Sequence, residues 1–197
     1  VVSGGHTHLV EVKDYQNYEI LGRTRDDASG EAFDKISRAM GLGYPGGPII
    51  DKLAKQGNKH AIEFPRAYLD DSYDFSFSGL NYLNAQKMKK QEIVVEDVAA
   101  SFQEAVVEVL STKAVNAAEE KGYKTIALSG GVAANSALRE KITQMANEKG
   151  IEIKFPGLDL CTDNAAMIGC AGYHNFINGK IDDMSLNAVP NLKIDIN

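Results

Sequence analysis

Apolar residues interspersed with polar ones over 7–12 (Leu9, Val10, Val12) and again over 18–24 (Tyr18, Ile20, Leu21) predict a hairpin pair of strands. From residue 29 the spacing changes to threes and fours. Ala32, Phe33, Ile36, Ala39 and Met40 share one face, so 29–42 is predicted helical with Ser29 as its cap. A loop rich in glycine and proline follows, Gly41 to Pro48, and then a second helix over 49–56. The stretch 64–83 is rich in aromatic and turn residues and has no clear period. The longest helix is predicted over 96–121, with Val98, Phe102, Val106, Val109 and Leu110 forming its apolar stripe and Gly122 closing it. Residues 125–128 are continuously apolar, as in a strand at the middle of a sheet. A helix over 135–148, a short strand over 151–155 and a last helix over 163–176 complete the pattern, and a polar tail starts at Lys180. Strands alternating with helices predict an α/β fold, a mixed sheet flanked by helices.

Composition narrows the setting. The chain has 197 residues, enough for one substantial domain with a buried core. A net charge of −6 excludes a surface that is basic throughout, though a local basic patch still suffices to steer RNA. No apolar run approaches the roughly 20 residues of a membrane span, and no signal-peptide pattern is present. Cys161 and Cys170 lack C-x-x-C spacing and are expected to be buried or free thiols in a reducing cytoplasm.

Two double glycines carry the most chemistry. Val1-Val2-Ser3-Gly4-Gly5-His6-Thr7 turns between strands, and Ser129-Gly130-Gly131-Val132-Ala133-Ala134-Asn135 leads from a strand into a helix that Asn135 is placed to cap. Glycine lets backbone N–H groups approach a ligand with no Cβ in the way, and such turns make nests for anions. Together they predict a nucleotide held from two sides, phosphate at Gly4-Gly5 and adenine or ribose at Gly130-Gly131. The second turn is not G-x-G-x-x-G, which argues against a dinucleotide fold. Asp26, Asp27, Glu31 and Asp34 surround a predicted helix start. Dipole compensation accounts for Asp27 and Glu31 but not for Asp34, which lies a turn further in. Tyr44-Pro45-Gly46-Gly47-Pro48 brings a loop to a helix and puts Asp51 in its first turn. At the last helix, Thr162 or Asp163 is placed to cap, and Asp163 is also placed to meet a metal, though one carboxylate alone holds none. His6 and His8 share a strand face, and no H-x-x-x-H or H-E-x-x-H occurs.

Six blocks in order resemble one family: Ser-Gly-Gly-His-Thr, Asp-Asp-Ala-Ser-Gly-Glu-Ala-Phe-Asp-Lys, Tyr-Pro-Gly-Gly-Pro, Phe75-Ser76-Phe77-Ser78-Gly79-Leu80, Ser-Gly-Gly-Val-Ala-Ala-Asn and Cys-Thr-Asp-Asn-Ala-Ala-Met-Ile-Gly. This is the TsaD/Gcp family, the tRNA adenosine threonylcarbamoyltransferases, formerly labelled O-sialoglycoprotein endopeptidases. The resemblance implies an actin-like ATPase (ribonuclease H-like) lobe, the C-terminal one of two. The family's other lobe carries an H-x-x-x-H metal pair that is absent here. The chain, which opens on Val1, is therefore expected to be part of a longer protein and inactive alone. By the same resemblance Val1, Val2, Ser3, Gly4 and Gly5 line the substrate pocket. Asp34, Gly47, Asp51 and Asn135 contact threonylcarbamoyl-AMP, and Asp163 is a ligand to one divalent metal, iron or zinc. No residue is assigned as catalytic. The implied reaction moves the threonylcarbamoyl group onto the exocyclic amine of adenosine-37 in tRNAs that read codons beginning with A. The implied partners are tRNA and, in bacteria, TsaB- and TsaE-like proteins, with no membrane. A metalloprotease, a non-catalytic nucleotide-binding scaffold and a sugar kinase of the same superfold are the alternatives.

Overall fold

The computed structural model describes residues 1–69, 72–80, 94–189 and 192. Strands β1 (His8–Val12) and β2 (Tyr18–Arg23) form the predicted antiparallel hairpin, with Val12 opposite Tyr18 and a shift in register between Leu9 and Val10. Strands β3 (Thr125–Ala127) and β4 (Glu152–Lys154) run parallel, Ile126 opposite Ile153. The expected mixed sheet is thus, among the described residues, two separate two-stranded sheets. Val1 and Val2 join them: His8 N–H donates to Val1 O at 2.9 Å, and Val2 N–H donates to Ser129 O at 2.8 Å. A link of two residues carries no further ladder, so among the described residues β3 pairs on one side only, with β4. That corrects its expected place at the middle of a sheet.

The core forms around α3 (Val95–Glu120), whose predicted stripe of Val98, Phe102, Val106, Val109 and Leu110 is buried. Helix α2 (Gly46–Ala54) and helix α4 (Ser136–Glu148) pack on α3, and helix α1 (Ser29–Ala39) packs on α2. Phe102 meets the rings of Phe33 and Phe64 edge-on, at 5.3 and 5.9 Å between centroids. Such contacts add roughly 0.5–1.5 kcal/mol to the burial itself. Glu104 on α3 ties down α4. Burial opposes its ionisation, but Lys141 at 2.5 Å and Lys59 at 3.5 Å outweigh that and hold its carboxyl below the usual range. Lys113, buried on α3, donates to Tyr68 O at 2.8 Å and Ser72 O at 2.5 Å, and desolvation lowers its pKa.

Several boundaries differ from the sequence pattern, each for a local reason. Ser29 does not cap α1. It is the first helical residue, and its N–H donates at 2.8 Å to Oγ1 of Thr7, a side chain distant in sequence. Helix α2 starts at Gly46, which puts Asp51 in the second turn rather than the first. Helix α5 (Ala165–Ile177) is capped by Asn164, whose Oδ1 accepts from Met167 N–H at 3.0 Å, so neither Thr162 nor Asp163 is the cap. Helix α5 buries no residue. Met167, Ile168, Tyr173, Phe176 and Ile177 are exposed, and the tail expected to be polar exposes Ile181, Met184 and Leu186. Residues 70, 71 and 81–83 of the aromatic-rich stretch lie outside the described residues.

Candidate nucleotide site

The two double-glycine turns are bonded to each other. Val2 N–H donates to Ser129 O at 2.8 Å, and Val132 N–H returns a bond to Val2 O at 3.0 Å. Gly130, at φ 95° and ψ 166°, occupies backbone space essentially reserved for glycine. A Cβ there would also lie 2.4 Å from Val2 O. Gly131, by contrast, has open space where its Cβ would be, as do Gly4, Gly5 and Gly47. Residues 131–134 make a short 3₁₀ turn, and Asn135 then caps α4, its Oδ1 accepting from Leu138 N–H at 2.9 Å.

The first turn is internally braced. Ser3 Oγ accepts from Gly5 N–H at 3.3 Å and from His6 N–H at 3.0 Å. A phosphate at this turn competes with Ser3 for those donors. The start of α1 lies flush against the turn: Gly30 N–H donates to Ser3 O at 3.1 Å, and a Cβ on Gly30 would come within 2.7 Å of that oxygen.

Beside the paired turns is a cavity of about 590 Å³. Val1 and Ser3 line it from the first turn, Ser129 and Gly130 from the second, Phe155 and Pro156 from the exit of β4, and Asp163 and Asn164 from the approach to α5. Of the residues singled out in the sequence, Val1, Ser3 and Asp163 therefore share one cavity, while Val2 lies behind it as the bonded link. Gly4 and Gly5 do not line it, and neither do Asp34, Gly47, Asp51 and Asn135. These last four sit on or beside the adjoining helices and are bonded to neighbouring segments. Asp34 Oδ1 accepts from Gly46 N–H at 2.7 Å, holding the loop at Gly47. Asp51 Oδ1 accepts from Ser136 Oγ at 2.8 Å, and Asn135 Nδ2 donates to Gln103 Oε1 at 2.8 Å.

The remaining acidic residues have structural partners. Lys35 bridges Asp27 at 2.6 Å and Glu31 at 2.9 Å. Asp26 accepts from Phe77 N–H at 2.8 Å, from Ser78 Oγ at 2.8 Å and from Ser76 Oγ at 2.5 Å, clamping the Phe75–Leu80 block. Burial opposes ionisation of Asp26, but these donors outweigh it and its pKa falls below the usual carboxylate range. His6 and His8 have ring centroids 5.2 Å apart. Among the described residues no group of three His, Cys, Asp or Glu side chains is placed to hold a metal. Asp163 is exposed, and one carboxylate does not make a site, so this chain's residues alone do not fit the metal that the resemblance implies. Both cysteines are free thiols, Cys161 buried and Cys170 exposed. Phe155 and Arg139 escaped sequence reasoning as site residues, since only the fold brings them beside the two turns.

Comparison with known proteins agrees with the order of the motifs. Residues 1–170 match the family described as TsaD, tRNA N6-adenosine threonylcarbamoyltransferase. A protein of that name from Clostridioides difficile (strain 630) is 78% identical over 201 residues, covering 99% of this chain and 60% of its own length. Its namesake from Clostridium beijerinckii is 60% identical, covering 98% and 59%. The chain thus spans about 60% of the length of these relatives. Among solved structures, T. kodakarensis HypF superposes with a TM-score of 0.58 at 22% identity, over 83% of this chain and 21% of HypF, a likeness of fold alone. With most of its length matched in motif order, the chain belongs to the TsaD family.

Proposed function

We propose that this chain is the nucleotide-binding, C-terminal lobe of a two-lobed enzyme with the actin-like ATPase (ribonuclease H-like) fold. At full length that enzyme transfers a threonylcarbamoyl group from threonylcarbamoyl-AMP to N6 of adenosine-37 in tRNAs that read codons beginning with A. The observation that carries this reading is the direct bonding of the two double-glycine turns beside a cavity that also receives Asp163. Relatives at 78% and 60% identity bear the name of that activity, which favours it over the protease and scaffold readings.

In the reaction the amine nitrogen attacks the carbamoyl carbon, the bond from that carbon to the phosphate oxygen breaks, AMP leaves and the nitrogen loses a proton. The residues of this lobe bind and shield. Val1, Ser3, Ser129 and Gly130 face the ligand from the two turns, and the adjoining Gly4 and Gly131 leave open space where a Cβ would be, room for phosphate and nucleoside at the edge of the cavity. Phe155, Pro156 and Met167 offer an apolar wall to a flat base and keep water from a reactive mixed anhydride. Asp34 acts by holding the loop at Gly47, and Asp51 and Asn135 by setting the start of α4. Asp163 contributes a carboxylate to an iron or zinc site that the other lobe completes. The protein works in the cytoplasm, with tRNA as a partner and, should its source be bacterial, TsaB- and TsaE-like proteins as well.

The test is to incubate the full-length protein and its partners with unmodified tRNA, threonine, bicarbonate and ATP, and to weigh the nucleosides released from the tRNA. Threonylcarbamoyladenosine, lost in Gly131→Val, is expected. Modification that is absent, or undiminished in Gly131→Val, contradicts the reading.

A further inference from the structure

One side chain outside the motifs joins two walls of the cavity to the 3₁₀ turn beside it. Arg139, on the second turn of α4, donates from Nε to Ala133 O at 2.6 Å and from Nη2 to Pro156 O at 3.0 Å. The same Nη2 lies 3.4 Å from Sγ of the buried Cys161. Its guanidinium carbon stands 4.8 Å from the centre of the Phe155 ring. These partners are uncharged, so the planar fork serves as a geometric brace rather than as half of an ion pair. Ala133 lies in the short 3₁₀ turn that follows Gly130, Phe155 and Pro156 form the wall after β4, and Cys161 comes two residues before Asp163. The other bonds of the segment around Cys161 are local, Leu160 N–H to Gly157 O at 2.9 Å and Asn164 Nδ2 to Leu160 O and Thr162 O at 3.3 and 3.0 Å, and none of these ties it to the Gly130-Gly131 turn.

We propose that Arg139 is a positioning residue that holds the Gly130-Gly131 turn, the Phe155-Pro156 wall and the Cys161–Asp163 loop in the relative placement that nucleotide binding needs. This rests on the reading of the cavity as a nucleotide site. The role needs several donors at fixed angles together with a flat face against Phe155. Lysine supplies a point charge with neither. Arg139→Lys therefore keeps the charge and loses the brace.

The experiment uses the full-length protein in a Cys170→Ser background, which leaves Cys161 as this lobe's thiol. Three quantities are measured for Arg139→Lys and Arg139→Gln: the melting temperature, the Kd for AMP by calorimetry, and the rate at which a thiol reagent labels the Cys161 peptide under native conditions. The expected result is a melting temperature within a few degrees of the parent, AMP binding weakened at least tenfold, and Cys161 labelling at least tenfold faster. A purely structural role would move the melting temperature and leave AMP affinity of the folded protein unchanged. Parental AMP affinity in either folded variant overturns the proposal, as does failure of both variants to fold. Gly131→Val is measured alongside. If it weakens AMP while the Arg139 variants do not, the brace fails and the site stands. If none of the three weakens AMP, the nucleotide reading of the cavity fails as well.

Discussion

Gly130→Ala separates a glycine the fold requires from its neighbour, which the fold does not. Gly130 has φ 95° and ψ 166°, where a side chain costs roughly 1–3 kcal/mol. The added Cβ would meet Val2 O at 2.4 Å and Val2 C at 2.8 Å, both backbone atoms that cannot swing aside. Moving Val2 strains the bond its carbonyl accepts from Val132 N–H at 3.0 Å, for about 1 kcal/mol more. The sum is about 3 kcal/mol. At roughly 2–4 °C per kcal/mol for a domain of this size, the melting temperature should fall by roughly 6–12 °C. Gly131→Ala, whose Cβ enters open space, should stay within about 0.5 kcal/mol of the parent. Urea melts of both variants, read by circular dichroism, give the comparison. A Gly130→Ala protein as stable as Gly131→Ala would refute the claim that the two turns are locked through Val2.

Three further outcomes follow from the same geometry. Asp26→Ala removes the acceptor of the Ser76, Phe77 and Ser78 donors and should cost about 1–3 kcal/mol at neutral pH. Because the folded pKa is lowered, this contribution is complete above the unfolded value of about 3.9 and is lost as pH falls through the folded value. The gap between parent and Asp26→Asn in urea melts should therefore close in acid, and a constant gap counts against the clamp. Asp163→Asn in the full-length enzyme should lower metal content, measured by elemental analysis, and abolish transfer with little change in melting temperature; full activity in that variant would sink its assignment. Helix α5, apolar with none of its residues buried, should drive self-association of the 197-residue chain in light scattering, with fast labelling of Cys170 in dilute monomer. A clean monomer at high concentration contradicts this.

What the sequence made legible was local. The hairpin followed from two short runs of strand-forming residues close together in the chain, and the stripe of α3 followed from period 3.6 and is buried as read. The Asn135 cap was legible because cap and helix are adjacent in the chain. Features that depend on partners far along the chain were not legible. Thr7 caps α1 through Ser29 N–H, so looking for a cap beside the helix picked the wrong side chain. Asp26 resembled one more acid at a helix start, yet its donors come from Ser76 to Ser78. The start of α2 was set three residues late because its Gly46-Gly47 opening resembles a loop. There, a bond from Gly46 N–H to Asp34 supplies an order that composition does not show. The site divides in the same way. The motifs picked out Ser3, Gly130 and Asp163, while their convergence on one cavity and the brace at Arg139 belong to the tertiary fold alone.

The central claim is that the nucleotide lies between the paired turns and the Asp163 loop. A second cavity of about 600 Å³, between β1 and β3, competes for that role. Photolabelling of the full-length protein with an azido-adenylate, followed by peptide mapping, decides between them. The account predicts label within 129–131 and 155–167, lost when excess AMP is added. Label concentrated in 9–12 and 114–118, or spread without competition by AMP, would contradict it.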